Sequence, residues 1–416
     1  MRHHLRRSFN SLAVPNYRRY FAGQLISLSG TWMQTVAALW LILSLTGSGL
    51  AVGLTTALQF LPMLAIGAWG GLLADRFPKR RLLITTQTLM AIPALGLFAV
   101  TATGVVAPWM VFLAVFAIGT VNAVDNPTRQ SFVFEMVGPD RVVNAVSLNS
   151  VIVQSARIVG PALAGITIAT LGIVPCFALN ALTFAAMIFA LWGMDTDRLH
   201  SAPAAPRGPG AIRAGLRYVV RNPELAVPLA LMALVGTLGF NFQVILPLLA
   251  RFSFGGGAAT YAVLVSSMGV GSIAGALVNG SRGRTGPRLI AGAALAFGVG
   301  GLLAAAMPAL AFEIPALVLL GAASVTFAAA INSTLQLAVV PEMRGRVMAL
   351  YSVVFLGSTP IGGPLAGWLC EAYDPRVALL LAGVTGVAAA WAARVSFARL
   401  RASKAVAAAS SLTTAM

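Results

Sequence analysis

Residues 70 to 81 read "GGLLADRFPKRR" and place a single carboxylate, Asp75, between two long apolar runs. Behind that carboxylate stand four cations, Arg76, Lys79, Arg80 and Arg81. Basic residues crowded at the end of an apolar run are typical of the short cytoplasmic loops of membrane proteins. The stretch therefore indicates a chain that crosses a membrane more than once.

The composition agrees, because 58% of the 416 residues are hydrophobic and only 9% are charged, against about 25% charged in soluble domains. Twelve apolar runs approach or exceed the roughly 20 residues that a bilayer requires. Short loops join them, which favours helices over barrel strands. The sequence predicts an all-α membrane protein with twelve spans, at roughly 20–45, 51–74, 82–103, 108–124, 142–171, 174–194, 225–249, 259–279, 287–307, 314–339, 347–369 and 375–395.

The net charge of +17 is explained by where the basic residues lie. When the loops are assigned to alternate sides, only Arg251 and Arg376 fall on one side, and Arg157 lies inside a span; every other Lys and Arg falls on the opposite side. The positive-inside rule then places both termini in the cytoplasm. We expect a multi-pass protein of the bacterial cytoplasmic membrane, and nucleic-acid binding is not needed to explain the charge.

Between spans 6 and 7 the sequence becomes polar and rich in Pro and Gly, which indicates a linker between two halves. The predicted domains are a six-helix bundle at 1–194, a cytoplasmic linker at 195–224 and a second six-helix bundle with a tail at 225–416. Arg213, Arg217 and Arg221 share one face of a short helical segment of the linker, and the apolar residues Ile212, Leu216, Val219 and Val220 share another. This pattern is typical of a helix that lies on the membrane lipid.

The two halves echo each other at an offset of about 203 residues. "VGPDRVVNAVSLNS" (137–150) aligns with "VPEMRGRVMALYSV" (340–353), and "GPALAG" (160–165) aligns with "GPLAG" (363–367). Two related six-helix bundles are the architecture of alternating-access transporters, in which the substrate path lies between the halves.

The chain resembles the major facilitator superfamily over nearly its whole length. "GGLLADRFPKRR" resembles the signature of the loop between helices 2 and 3, except that Pro78 stands where many members have Gly. "ARIVGPALAG" (156–165) resembles the helix 5 antiporter motif of exporters. "FNSLAVPNYRRYFAGQLIS" (9–27) and "DNPTRQSFVFEMV" (125–137) resemble the branch of the enterobactin exporter and macrolide efflux proteins. The matching motif positions are Gly71, Asp75, Arg76, Lys79, Arg80, Gly160, Pro161 and Gly165.

The resemblance implies that Asp75 and its neighbours control the change of conformation. Asp75 would accept hydrogen bonds from the positive N-terminal end of helix 11, which begins near Arg346. Arg76, Lys79 or Arg80 would pair with Asp125 at the end of helix 4. These contacts would hold the halves together on the inner side while the outer side is open.

Membrane enzymes and ATP-driven pumps fit the sequence poorly. No nucleotide-binding loop of the G-x-x-x-x-G-K-[ST] type is present, and the only lysines are Lys79 and Lys404. His3, His4 and His200 fall in cytoplasmic segments, which disfavours a histidine-ligated metal or a Ser/His dyad inside the membrane. Asp125 is the one acid predicted inside a span, whereas an aspartyl mechanism needs two. We expect no cofactor and no metal, and we keep a membrane enzyme as a distant alternative.

Secondary transport needs an ion gradient, usually of protons or Na⁺. Proton coupling normally uses an ionisable group in the permeation path, and the predicted midplane lacks a carboxylate or His. Asp125, the more peripheral Glu313 and the charge of the substrate remain open as carriers of the coupling.

Polar residues at helical spacing suggest a lining for the substrate path. Span 1 has Gln24, Ser27, Thr31 and Gln34, and span 5 has Ser147, Ser150, Gln154 and Arg157. Both stripes either face water or form hydrogen bonds between helices, as such residues often do in membranes. Weaker candidates from the second half are Asn241, Asn332, Gln336 and Tyr351.

Arg157 is the first candidate for substrate binding. It lies roughly 24 Å along the helix from Arg141, at about 1.5 Å per residue. A guanidinium at this depth should face a partner or a water-filled cavity rather than lipid. It either bonds helix-end carbonyls beside a break at Gly160–Pro161 or presents a cation to an anionic or catechol-like substrate.

The sequence thus predicts an ion-gradient-driven exporter of a small amphipathic or anionic compound, such as a drug, a siderophore or a related metabolite. The direction depends chiefly on the helix 5 motif, and an importer of a small metabolite is the alternative. We expect the protein to function as a monomer.

Overall fold

The computed structural model describes residues 10–200, 211–282 and 285–414. Within those residues twelve helical segments are long and apolar enough to cross a membrane, so the predicted all-α fold with twelve spans is confirmed. His3 and His4 lie outside the described residues. The helices are α1 Pro15–Thr46, α2 Gly49–Arg76, α3 Lys79–Ala102, α4 Pro108–Val137, α5 Val142–Leu171, α6 Val174–Trp192, α7 Ala211–Arg221, α8 Pro223–Gly239, α9 Phe242–Leu248, α10 Ala258–Arg282, α11 Pro287–Ala306, α12 Leu310–Ala338, α13 Pro341–Ala372 and α14 Pro375–Thr414.

Proline and glycine mark many of the helix boundaries. Pro15, Pro108 and Pro375 each occupy the first position of a helix, where their missing N–H costs no hydrogen bond and their fixed φ suits the helix. Gly47 ends α1 with a φ of 64°, and its N–H donates to the Leu43 carbonyl at 2.8 Å. Only glycine adopts this left-handed conformation without strain.

Three helices differ from the predicted spans in ways that matter for function. Span 4 was expected to end at residue 124, but α4 continues to Val137 and so contains Asp125 well inside the helix. Span 10 was expected to begin at residue 314, but α12 begins at Leu310 and therefore includes Glu313. Span 7 is interrupted after Gly239, resumes as α9 and continues as a π-helical turn from Leu249 to Ser253.

The described residues cluster into two compact units. The first consists of Met1–Pro206 with Leu246–Ser266. Its core contains a buried cluster of aromatic and aliphatic side chains from α1, α3, α4 and α6, including Tyr17, Tyr20 and Phe132. Helices α2 and α4 approach closely at Gly70, where an added Cβ would stand 2.0 Å from the Ala123 carbonyl oxygen.

The second unit consists of Arg207–Ile245 with Ser267–Met416. Here α10 and α12 also touch through glycine, since an added Cβ at Gly271 would stand 1.9 Å from the Val318 carbonyl oxygen. The short helix α7 contacts α8 and α13. Val219 of α7 is buried, whereas Leu216 and Val220 are exposed, as expected for a helix that offers part of its apolar face to lipid.

Candidate functional site

A buried group of polar side chains is centred on Asp125 of α4, which is 1% exposed. One carboxylate oxygen accepts from the Thr86 hydroxyl at 2.6 Å and from the Gln87 amide at 3.0 Å, both on α3. The other oxygen accepts from the guanidinium of Arg129, one turn further along α4. Asp125 is therefore paired and hydrogen-bonded on both oxygens.

Helix α1 completes the group. The Arg129 guanidinium also donates to the side-chain carbonyl of Gln24, and the Ser27 hydroxyl donates to the side-chain carbonyl of Gln87 at 3.1 Å. We call these side chains the Asp125 network, and its members are Gln24, Ser27, Thr86, Gln87, Asp125 and Arg129. The network ties α1, α3 and α4 together inside the first unit.

The energetic consequence follows from the burial of the ion pair. A charge that loses its partner in a low-dielectric interior cannot recover its hydration, and truncating one member of a buried pair typically costs about 3–5 kcal/mol. Each of the Asp125 oxygens has partners that limit this penalty. The network is thus a set of directional bonds that fixes how three membrane helices meet.

The predicted pairing of Asp125 with Arg76, Lys79 or Arg80 is wrong, because Asp125 pairs with Arg129 and Arg76 is exposed at the end of α2. Lys79 pairs with Glu135 at 2.5 Å, near the end of α4. Arg80 donates to the carbonyls of Leu191 and Trp192 at 2.7 and 2.9 Å, at the C-terminal end of α6. Asp125 and Glu135 are ten residues apart on α4, which is about 15 Å along the helix axis. Lys79 and Arg80 lie at the start of α3, which is level with Glu135 rather than with Asp125.

Asp75 and its neighbours lie at the end of α2, as the sequence indicated. The helix ends at Arg76, and both Asp75 and Arg76 are exposed, whereas Gly71 is buried. The glycine whose Cβ would collide with a neighbouring helix is Gly70, one residue before the motif glycine.

The polar stripe on α1 has two different environments. Gln24 and Ser27 are buried in the Asp125 network, so there the hydrogen-bonding alternative applies. Further along, Thr31 and Gln34 line a narrow polar cleft with about 370 Å³ of space free of atoms, including its open part. Gln34 also accepts from the Asn180 amide of α6 at 2.6 Å. The other lining residues are Thr35, Ala38, Leu39, Thr55, Gln59, Val115, Ile118 and Asn180.

The stripe on α5 is more open than the stripe on α1. Ser147, Ser150 and Arg157 are exposed and Gln154 is half-buried. The guanidinium of Arg157 lies over the ring of Trp32 of α1, 5.4 Å from its centroid. Across residues 10–200, 211–282 and 285–414, that guanidinium donates no hydrogen bond.

The helix 5 motif packs α5 against its neighbours. The helix runs without interruption through Pro161, so the break that was considered beside Arg157 is not present. An added Cβ at Gly160 would stand 2.4 Å from the Trp32 Cβ, and one at Gly165 would stand 2.2 Å from the Ala262 Cβ. These glycines therefore allow helix axes to approach closely, as small residues do in membranes.

The four candidates from the second half lie at two places in the second unit. Asn332 and Gln336 are bonded to each other along α12 at 2.5 Å, and the Tyr351 hydroxyl donates to the Ala328 carbonyl of α12 at 3.4 Å. Asn241 lies apart, in the interruption between α8 and α9, where its amide donates to the Thr237 carbonyl at 2.7 Å.

Sequence reasoning missed Arg129 and Glu135, because it assigned the region after residue 124 to a loop. One signal was available: Asp125 and Arg129 are four residues apart, the spacing that brings side chains together on one helix face. Trp32 was missed because nothing in the order of residues shows which aromatic ring a distant arginine will meet.

Comparison with known proteins identifies the family. A family model described as transmembrane secretion effector, within the major facilitator superfamily, matches residues 7–415. The chain belongs to this family. The expected membership of the major facilitator superfamily is confirmed, and the protein is a multi-pass membrane protein of a transporter family.

Two curated relatives are named for siderophores. The enterobactin exporter EntS of Citrobacter koseri is 25% identical over 89% of this chain and 88% of its own length. The staphyloferrin A transporter of Staphylococcus aureus is 23% identical over 62% of this chain. In that second case the match spans 65% of the curated relative, just under two thirds of its length.

A solved structure confirms the superfamily fold. The crystal structure of the nucleoside transporter NupG superimposes with a TM-score of 0.70 over 92% of this chain and 99% of that protein, at 15% sequence identity. An identity this low shows the shared fold alone.

Proposed function

We propose that this superfamily member is a secondary active transporter that exports a small anionic or amphipathic compound by alternating access. The observation that carries the proposal is Arg157, an exposed cation in the middle of a membrane helix, whose guanidinium rests on Trp32. The family description, secretion effector, supports the outward direction. Import of a small metabolite is the alternative that the experiment below separates from export.

The chemistry of Arg157 suits an anionic substrate. A guanidinium presents five donors in a rigid plane that matches carboxylates and other paired oxygens, and it keeps its charge under physiological conditions. The Trp32 ring supports the plane from one side through a cation–π contact, which leaves the donor edges open. A cation without a counter-ion inside a membrane helix is costly. Arg157 therefore fits a role in binding a substrate that is negatively charged.

The names of the relatives suggest compounds to test. Enterobactin and staphyloferrin A are the compounds named for the relatives above, and we propose a siderophore or a compound of similar polarity as substrate. Transport of such a compound against its gradient takes energy from protons or Na⁺. The protein moves its substrate without changing covalent bonds.

We also propose an orientation in the membrane, a division into domains and a functional unit. Both termini lie in the cytoplasm of a bacterial cell, the linker at 195–224 joins a bundle at 1–194 to a bundle at 225–416, and a monomer is the functional unit. The basic residues at the end of α2, at the start of α3 and in the first turns of α13 support this orientation. In this scheme Asp75 stabilises the state that is closed on the inner side.

The test uses purified protein in proteoliposomes with enterobactin and staphyloferrin A as probes and an imposed pH gradient. We expect transport in the direction that corresponds to export, and no covalent change in the recovered probe. Accumulation only in the uptake direction would replace export with import, and chemical conversion of the probe would contradict transport.

The same assay tests Arg157. Hydrogen bonds to charged groups contribute about 1.5–3 kcal/mol, so Arg157→Gln should weaken transport of the anionic probes about 10- to 100-fold. Arg157→Lys should retain more activity because it keeps the charge. Arg251→Gln, which removes an exposed arginine elsewhere in the same unit, is the matched control. Equal loss for neutral and anionic compounds, together with poor folding, would assign Arg157 a structural role.

A further inference from the structure

Glu313 of α12 is a buried acid that makes no side-chain hydrogen bond to the residues that the structure describes. The residue is 0% exposed, and neither of its carboxylate oxygens has a hydrogen-bond partner in the described part of the chain. It is the fourth residue of a helix that crosses the membrane. By contrast, Asp125 has bonds to both of its oxygens and pairs with a cation.

The two carboxyl groups therefore have opposite hydrogen-bonding environments. An ionised carboxylate that is buried without hydrogen bonds or a counter-ion is strongly unfavourable, whereas the neutral acid costs much less. Glu313 meets this condition and is stable in its position as a carboxylic acid. Asp125 differs in its surroundings, because donors from α3 and the Arg129 guanidinium bond to both of its oxygens.

The surroundings of Glu313 contain few other charges. The helices that contact α12 are α8, α10, α11 and α13. The charged residues of α8, α10 and α11 are Glu224, Arg282 and Arg288, each at the end of its helix away from Glu313. At the end near Glu313, α13 finishes with Glu371. The charge that acts on Glu313 is Arg376, from the first turn of α14.

These surroundings make the group switchable rather than permanently neutral. Arg376 and the positive N-terminal end of α12 both favour the carboxylate, while burial favours the acid. No salt bridge closes between Glu313 and Arg376 among the described residues, since their nitrogen and oxygen atoms do not come within 4.0 Å. A modest rearrangement that admits water or brings the guanidinium nearer would therefore release the proton.

We propose that Glu313 is the proton-binding site of this transporter. Its carboxylate takes one proton from the outer solution to become the neutral acid, and it later gives that proton to the cytoplasmic solution; no other bond changes. The outer side follows from the orientation proposed above, because α12 and α14 begin on the side of the sparse cations Arg251 and Arg376. The role in coupling rests on the proposed function, whereas the protonation of Glu313 can be measured without any substrate.

The first test is an infrared titration of the full-length protein in lipid. Wild type should show the carbonyl stretching band of a buried carboxylic acid that disappears as the pH is raised. Glu313→Gln should lack this band, and Glu371→Gln, which changes an exposed glutamate at the same end of the unit, should retain it. A band that persists in Glu313→Gln would overturn the proposal. So would a band that disappears on addition of Na⁺ at constant pH, which would indicate a metal-cation site.

A second variant guards against loss of folding. Glu313→Asp keeps a titratable acid, so its band should remain at a shifted frequency and pH midpoint. An Asp variant that elutes as a folded protein but shows no band would count against the proposal.

The transport assay then tests coupling. Glu313→Gln should exchange enterobactin or staphyloferrin A across the membrane without a gradient at the rate of wild type, but accumulation driven by a pH gradient should fall to equilibration. Unchanged gradient-driven accumulation would show that Glu313 does not carry the proton. If wild type moves neither probe while the infrared band behaves as expected, the proposed substrates fail and the protonation site stands.

Discussion

The two units of this protein solve the same packing problem with different chemistry. In the first unit, α1, α3 and α4 are joined by the buried polar bonds of the Asp125 network. In the second unit, the corresponding interior is aromatic: Phe240 meets Phe297, Phe327 and Phe355 with ring centroids 5.3, 6.2 and 6.4 Å apart. At the repeat offset of about 203 residues, Asp125 corresponds to Ala328 and Arg129 to Asn332.

The two halves of the internal repeat thus stabilise their interiors through different kinds of contact. Lipid is as apolar as the side chains, so helix association in membranes depends on close packing and on polar bonds rather than on the hydrophobic effect. Polar bonds depend on the alignment of donor and acceptor, whereas aromatic pairs depend on packing in offset or edge-to-face arrangements. The interior of the first unit therefore depends more on directional bonds. The second unit contains the helix interruption after Gly239 and also Glu313, whose carboxylate oxygens lack hydrogen-bond partners among the described residues.

The largest expected effect comes from breaking the ion pair of the first unit. Asp125→Ala leaves Arg129 without its carboxylate, so we expect the free energy of unfolding to fall by about 3–5 kcal/mol. Denaturant titration in lipid micelles measures it. The matched change in the second unit is Asn332→Ala, at the position that corresponds to Arg129, and it should cost less than about 1 kcal/mol. Equal losses in the two variants would remove the contrast between the units.

A smaller effect is expected from the aromatic interior. Phe297 is fully buried and meets Phe240 and Phe242. Phe297→Ala should cost about 2 kcal/mol, below the 3–5 kcal/mol of soluble cores, because the transfer from water is absent and only packing is lost. The same titration should show almost no change for Phe312→Ala, whose side chain is 59% exposed. If Phe297→Ala lowered the free energy of unfolding as much as Asp125→Ala, the aromatic contacts would stabilise their unit as strongly as the polar bonds stabilise theirs.

The Lys79–Glu135 ion pair tests whether polar bonds also stabilise the end of the first unit. These side chains are only 12% and 16% exposed, so a double-mutant cycle with alanine at both positions should give a coupling of about 1 kcal/mol, at the upper end for ion pairs near a surface. The exposed pair Asp195–Arg198 serves as the reference and should give a coupling near zero. A coupling for Lys79–Glu135 no larger than the reference would show that the pair does not stabilise the unit.

The smallest effect in energy concerns Asp75. If it interacts with a helix N-terminus, Asp75→Asn removes about 0.3–1 kcal/mol, which shifts the ratio of conformers about 2- to 5-fold toward inward-facing states and slows turnover. Single cysteines introduced on the two sides of the membrane report this through their labelling rates. Unaltered labelling and unaltered transport would show that Asp75 does not take part in the gate.

The candidate site was predictable where one helix carries the whole pattern. The stripe of Ser150, Gln154 and Arg157 follows from helical periodicity alone, and the structure leaves it largely open. The stripe of span 1 could not be interpreted in the same way, because whether Gln24 faces water depends on Arg129, 105 residues away in the chain. Local spacing shows which side chains share a face but not what that face meets.

The sequence by itself determined the properties that the bilayer imposes on the chain. Apolar length decides which segments cross it, since every backbone group in lipid must be bonded within a helix, and the distribution of basic residues predicts which loops stay inside. The tertiary structure alone decided which polar groups have partners. It paired Lys79 with Glu135 rather than Asp125 and placed Arg157 on Trp32. It also buried Glu313 without a hydrogen bond from any residue that the structure describes. The reason is physical: the cost of a buried charge depends on atoms within a few ångströms, and those atoms belong to helices that are distant in sequence.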